Sequence, residues 1–173
     1  MIIGLIGYAQ SGKDTVAEII TTKYPFTRKA FADKIRDFLY DLNFDGMQFV
    51  IDSIGWERAK KLPSVRQSLQ NLGVSARNHL GEDIWVSAVL KSLEPNKNYI
   101  ITDVRFLNEV EAIKSVGGVL WRVHRPGVGP VNDHISELEL KDYETDETLV
   151  NEGTLEELVL LVQTRMDSLL NAN

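Results

Sequence analysis

Apolar positions along the chain follow two periods. Short apolar runs at 2–6, 28–31, 99–102 and 119–124, with a weaker one at 148–151, read as strands. Between them, apolar residues recur at helical spacing over 12–23, 33–42, 64–80, 83–93, 108–116 and 154–170. Strands alternating with helices predict an α/β fold with a mainly parallel sheet of about five strands flanked by helices. Thr154 with Glu157 three residues later predicts a capping box on the last helix. Residues 43–63 have no clear period, although Trp56, Glu57 and Arg58 suit a short helix. Residues 125–137 read RPGVGPVNDHISE, and the two Pro and two Gly near their start exclude regular structure there. Such a loop after a strand is a candidate lid, or an ordinary connection.

The first strand runs directly into Gly7-Tyr8-Ala9-Gln10-Ser11-Gly12-Lys13, and a helical segment follows at once. Glycines at both ends, a lysine, a strand before and a helix after are the context that a phosphate-binding loop requires. Backbone N–H groups of such a loop, with a helix N-terminus, form a nest for oxyanions. Lys13 would reach the terminal phosphates of a nucleoside triphosphate. The hydroxyl that usually follows the lysine and holds Mg2+ is replaced by Asp14, with Thr15 next. Asp14 either binds Mg2+ through water, because that ion keeps much of its hydration shell, or complements the helix N-terminus while Thr15 contacts phosphate.

Two further groups carry candidate chemistry. In the 64–80 helix, Val65, Leu69, Leu72, Ala76 and Leu80 share one apolar arc. Arg66, Gln70 and Arg77 form a second stripe within about 40° of one another, with Gly73 near the same line. Planar guanidinium groups suit phosphate, and a solvated polar face would look the same. In the second group, Asp103 follows the 99–102 strand at its C-terminal end, where open α/β sheets bind ligands. Arg105 lies two residues on, and Asn108 and Glu109 open the next helix. Asp103 could hold Mg2+ through water or a substrate group, or simply cap the helix. Of the histidines, His79 reads as structural, His124 as packing within a strand, and His134 as part of the candidate lid.

The whole chain narrows the choice. At 173 residues it is one domain, or one domain with a mobile insertion. It can bury roughly 70% of its unfolded surface. It has no cysteine, which suits a reducing cytosol. No apolar run approaches the roughly 20 residues of a membrane span, and the first residues lack the features of a signal peptide. A net charge of −6 argues against general nucleic-acid binding. Nine acidic residues and one basic residue fall within 137–157, so the remainder is mildly basic. A solvated acidic face accounts for that run. No zinc spacing and no Ser-His-Asp arrangement can be recognised.

The segments GYAQSGKDTVA, AFADKIRDFL, VRQSLQNLGVSARNHLGEDIWV, ITDVRFLNEVEAIKSVGGVLWRVHRPG, DHISE and VNEGTLEEL together resemble the bacteriophage deoxynucleoside monophosphate kinases, within the phosphate-loop proteins of nucleoside monophosphate kinase type. The resemblance spans nearly the whole chain. It implies a single domain over 1–173 with acceptor-binding helices at about 32–93 and a small lid at about 125–137. The implied reaction passes the γ-phosphate of ATP to a deoxynucleoside monophosphate, with Mg2+. Gly7, Gln10, Ser11, Gly12, Lys13, Asp14 and Thr15 would then hold the donor, with Asn151 and Gly153 near its adenine. Asp14 and Asp103 would organise the metal through water. Phe31, Ala32, Asp33, Arg66, Gln70, Arg77, Trp85, Asp103, Arg105, Asn108, His134 and Glu137 would form the acceptor side, Phe31 offering a ring to stack on a base. Lys13, Arg105 and Arg125 would be the catalytic cations, Arg125 moving with the lid.

Phosphomevalonate kinases of animal type share part of this pattern, including Lys-Asp after the loop glycine, and form the rival assignment. A nucleotide-binding switch or ATPase acting on a partner is the rival of another class. The accepted bases are not legible in the sequence, and a homodimer is open. Phage origin, and with it a host cytoplasm, is implied only by the resemblance.

Overall fold

The computed structural model describes residues 1–130 and 135–171. Five strands form one sheet in the order β2-β3-β1-β4-β5, with every neighbouring pair parallel. They are β1 (Ile2–Ile6), β2 (Phe26–Lys29), β3 (Asn98–Ile101), β4 (Val119–His124) and β5 (Glu147–Val150). The helices are α1 (Lys13–Lys23), α2 (Phe31–Leu42), α3 (Met47–Ile54), α4 (Trp56–Ala59), α5 (Pro63–Leu80), α6 (Ile84–Leu90), α7 (Leu107–Ser115), α8 (Ile135–Leu138) and α9 (Leu155–Asn171). The chain divides into two compact units, one of Met1–Lys29 with Leu93–Asn173 and one of Ala30–Ser92.

The sheet unit is built around β1, which pairs Ile3 with Ile100 on one side and Leu5 with Trp121 on the other. A central parallel strand is covered on both faces, so its residues are apolar without alternation. Ile3 and Leu5 are fully buried, as are Val16 and Ile20 of α1, Leu149 of β5, and Val162 and Met166 of α9. Each such side chain contributes roughly 1.5–3 kcal/mol of burial. The α9 start is the expected capping box: Thr154 N–H donates to Glu157 Oε2 at 2.7 Å, and Glu157 N–H to Thr154 Oγ1 at 3.3 Å.

The acidic run is more than a solvated face. Glu139 accepts the Leu107 N–H at 2.7 Å, at the start of α7. Asp146 accepts the Leu120 N–H at 2.7 Å and pairs with Lys114 at 2.5 Å. These carboxylates satisfy backbone donors that a helix start or strand would otherwise leave open.

The helical unit has its own core, in which Leu39, Met47, Ile51, Ala59 and Val65 are buried and Leu69, Leu72 and Trp56 pack against them. Here the structure departs from the sequence reading. The strand expected at 28–31 lies two residues earlier, because Ala30 is the extended residue before α2 and its N–H donates to Asp33 Oδ2 at 2.9 Å. Residues 43–63 hold a 3-10 turn, α3 and α4, separated by positive φ angles at Asn43, Asp45, Gly46 and Gly55. Those turns break the period that a sequence reading needs. Leu80 is 68% exposed, since α5 ends at Gly81 before the apolar arc closes over it.

Burial raises the proton affinity of Asp146, but the hydrogen bonds from Lys114 and Leu120 N–H outweigh it and hold its carboxyl below the usual carboxylate value. A depressed folded pKa gives stability that is present above the unfolded value, about 4, and lost as pH falls through the folded one. Asp146→Asn keeps the acceptor for Leu120 and removes the charge. Its cost at pH 7 should be under about 1 kcal/mol, because the pair is partly exposed. Urea unfolding should show wild type and variant converging as pH falls below about 4.

Candidate active site

Five parallel strands place all their C-terminal ends on one edge of the sheet. That edge carries the loop after β1, Asp103 after β3, Arg125 after β4 and Asn151 after β5. Because β1 is the middle strand, its loop emerges between the ends of β3 and β4.

The loop has the backbone its glycines allow. Gly7 has φ of 151° and Gly12 has φ of 105°. A Cβ at Gly7 would collide with the Val123 carbonyl, and one at Gly12 would lie 2.5 Å from Asn151 Nδ2. Both positions therefore exclude a side chain. Lys13, the first residue of α1, donates from Nζ to the carbonyls of Gly7 at 2.6 Å and Tyr8 at 2.7 Å. The cation thus lies folded along the loop, bonded to two of the loop's own carbonyls. Ser11 is 1% exposed and its Oγ has no hydrogen-bond partner. A buried hydroxyl without a partner is costly, and a phosphate oxygen is the kind of acceptor it lacks. Asp14 is exposed on the first turn of α1, and Thr15 is half-buried beside it. Gln10 is exposed, at φ of 66°.

Beside the loop lies a shallow groove, open to solvent and lined by Gly7, Tyr8, Arg105, Arg122, Leu140 and Lys141 among others. Three cations and a phenol make this an anion-favouring surface. Arg105 is set by Glu109: the buried carboxylate accepts the backbone N–H of Arg105 at 2.6 Å and of Phe106 at 3.1 Å. Arg122 and Tyr8 were missed in the sequence reading. Arg122 donates from Nη2 to the carbonyls of Leu140 and Tyr143, each at 2.8 Å. Burial lowers its affinity for the proton, yet a guanidinium stays charged. The signal that could have found it is a charged residue in the middle of an apolar strand, VLWRVH. Asp103 and Asn108 are half-buried at the edge of this region, and Thr102 just before them is buried.

Other expected site residues sit differently. Asn151 is buried and donates from Nδ2 to the Ser11 carbonyl at 2.9 Å, so its side chain is engaged by the phosphate loop. Gly153 lies against the Glu157 carboxylate of the α9 cap. Arg125 is exposed, and its carbonyl accepts the Val128 N–H at 3.0 Å in a turn that Gly127 makes at φ of 77°. His134 and part of the candidate lid lie outside the described residues, and Glu137 falls in α8. His124 and His79 are both exposed: the first ends β4 instead of packing, and the second lies in the last turn of α5.

In the helical unit, Arg66 and Gln70 are exposed on α5 and Arg77 is half-buried. Gly73 is buried instead of lying open along their stripe: a Cβ there would meet Ile35 at 3.3 Å, and its carbonyl accepts Trp85 Nε1 at 3.1 Å. Trp85 is therefore used inside the unit, 6.3 Å from the Phe38 ring, with its indole N–H already satisfied. Phe31 is 3% exposed and does not present a free face for stacking. Ala32 is half-buried, and Asp33 caps α2 while pairing with Arg36 at 3.2 Å.

Residues 41–162 match the family model for deoxynucleotide monophosphate kinase. The chain belongs to that family. It is a kinase of small nucleotide substrates, and the matched span does not include the phosphate loop, so loop and family point to one enzyme class separately. The chain is 28% identical, over 97% of its length and 97% of the other, to the "Putative deoxynucleotide monophosphate kinase" of Acanthamoeba polyphaga mimivirus. It is 32% identical to the deoxynucleotide monophosphate kinase of Enterobacteria phage T4 over 55% of this chain and 42% of that one. Dephospho-CoA kinase from Campylobacter jejuni shares the fold with a TM-score of 0.50 and 13% identity, over 97% of this chain and 96% of that one. The phosphate-loop kinase fold and the enzyme class thus agree with the sequence reading, and the phosphomevalonate kinase and switch alternatives are not favoured. Among the described residues no helix is long and apolar enough to cross a membrane.

Lys13→Ala removes the one lysine of the loop without touching the sheet core. Turnover should fall by about 100-fold or more, near 3 kcal/mol for a lost charge-assisted contact. Steady-state kinetics with circular dichroism checks this, and wild-type turnover in a folded variant would remove Lys13 from the site.

Proposed function

We propose that this protein transfers the γ-phosphate of ATP to a deoxynucleoside monophosphate and releases ADP and a deoxynucleoside diphosphate. The observation that carries this reading is the loop from Gly7 to Lys13. It couples an unpartnered buried serine hydroxyl and a folded-back lysine to a helix N-terminus, in a chain of the deoxynucleotide monophosphate kinase family.

Phosphoryl transfer needs alignment of the reacting oxygens and compensation of negative charge more than covalent help. The N–H groups of Gly12 and the first turn of α1 bind the donor phosphates, with Ser11, Thr15 and Lys13. Lys13 exchanges the carbonyls of Gly7 and Tyr8 for phosphate oxygens and so neutralises them where they gather. Arg105, held by Glu109, and Arg125 add positive charge from the ends of β3 and β4. Mg2+, where bound, supplies further charge compensation at the donor phosphates. Asp14 and Asp103, hard oxygen donors on the same sheet edge, suit a hydrated ion held through water. The acceptor phosphate is already a nucleophile and needs no general base.

The helical unit, residues 30–92, supplies the acceptor contacts in this reading. Arg66, Gln70 and Arg77 on one stripe of α5 bind its phosphate and base. Trp85 supports that unit from within. The segment from Arg125 to Glu137 serves as the lid and excludes water from the transfer. The reaction belongs in the cytoplasm, where its nucleotides are.

The reading predicts that purified protein with Mg-ATP releases ADP only when a deoxynucleoside monophosphate is added. A panel of dAMP, dGMP, dCMP and dTMP, with mevalonate phosphate as control, tests this. Slow release indifferent to every acceptor would refute it. In the same assay Arg77→Ala should raise the acceptor KM by an amount worth about 1–3 kcal/mol and leave the KM for ATP near wild type.

A further inference from the structure

Asn151 joins three loops of the sheet edge. Its backbone N–H donates to the His124 carbonyl at 2.7 Å, at the end of β4 and next to Arg125. Its side-chain Nδ2 donates to the Ser11 carbonyl at 2.9 Å, and this bond is buried. The residue is 9% exposed and follows β5 directly. The amide lies against the Ser11–Gly12 peptide so closely that a Cβ at Gly12 would come within 2.5 Å of it.

A peptide group is planar and trans, so its C=O and N–H point in opposite directions. With the Ser11 carbonyl turned to Asn151, the Gly12 N–H of the same peptide must point to the other side of the loop. Gly12 then continues into α1 at φ of 105°, an angle open to glycine. The orientation of that N–H is therefore set from β5.

We propose that Asn151 is a positioning residue for phosphate binding: by holding the Ser11 carbonyl it aims the Gly12 N–H at the anion that the loop receives. This rests on the kinase reading above. It replaces the expected contact with the donor's adenine by a role at its phosphates. A neutral amide is what the position calls for. A carboxylate cannot donate to a carbonyl, and an alkyl group would leave the Ser11 oxygen buried without this partner. Through its own backbone bond to His124, Asn151 also joins the loop after β1 to the start of the segment that holds Arg125.

The test is calorimetric titration of the whole chain with inorganic tripolyphosphate, ATP and adenosine. Wild type, Asn151→Ala and Asn151→Asp are compared, each checked by thermal unfolding. Tripolyphosphate and ATP should both bind about 10-fold more weakly to Asn151→Ala, the loss of one oriented hydrogen bond. The fall should be larger for Asn151→Asp, which turns a carboxylate toward a carbonyl and keeps the side chain's size. Adenosine binding should not change. Folded variants that bind tripolyphosphate like wild type would overturn the inference while leaving the kinase reading intact. Loss for ATP and adenosine with tripolyphosphate unchanged would also overturn it, in favour of a contact with the base. A wild type that binds neither ATP nor tripolyphosphate would sink the kinase reading itself, and the inference with it.

Discussion

Parallel pairing of β1 between β3 and β4 is the constraint on which the rest of the site depends. It buries the central strand on both faces and sends every strand end to one edge. Residues far apart in the chain, Gly7, Asp103, Arg125 and Asn151, become neighbours in strand order for that reason alone. The same pairing presses the Val123 carbonyl against Gly7 and leaves the loop no room for a side chain there. The phosphate loop is therefore shaped as much by the strand beside it as by its own glycines.

Around this edge the charged groups fall into two kinds of work. Some hold the backbone: Glu109 fixes the peptide of Arg105, Glu139 the start of α7, Asp146 the start of β4, and Arg122 the carbonyls of Leu140 and Tyr143. Others belong to the loop itself, above all Lys13, whose Nζ donates to the carbonyls of Gly7 and Tyr8. The buried Glu109 fixes the backbone from which the Arg105 side chain springs, and a fixed backbone is one part of the preorganisation by which electrostatics gains over water.

The helical unit illustrates how a functional stripe and a packing stripe compete on one helix. Arg66, Gln70 and Arg77 keep access to solvent on α5. Gly73, near the same line in the sequence, instead packs against Ile35 and accepts the Trp85 indole N–H. Of the aromatic residues expected on the acceptor side, Phe31 is buried, and Trp85 packs near Phe38 with its indole N–H on the Gly73 carbonyl. Large rings are the residues a small helical core most needs to bury.

Much was legible in the sequence because period and punctuation are local. The five strands and the long helices α1, α5 and α9 follow from apolar spacing, the α9 cap from Thr154 and Glu157, and the phosphate loop from seven consecutive residues between a strand and a helix. Residues 43–63 were opaque because turns at positive φ restart the helical period every few residues. What the sequence by itself determined was the order and kind of elements and the chemistry of the loop, since both depend on neighbours along the chain. What only the tertiary structure decided was which polar groups were already used. The amide of Asn151 held by Ser11, the guanidinium of Arg122 held by two carbonyls and the indole of Trp85 held by Gly73 all join residues distant in sequence. No local pattern can show that, because a hydrogen bond is settled by where two chain segments meet in space.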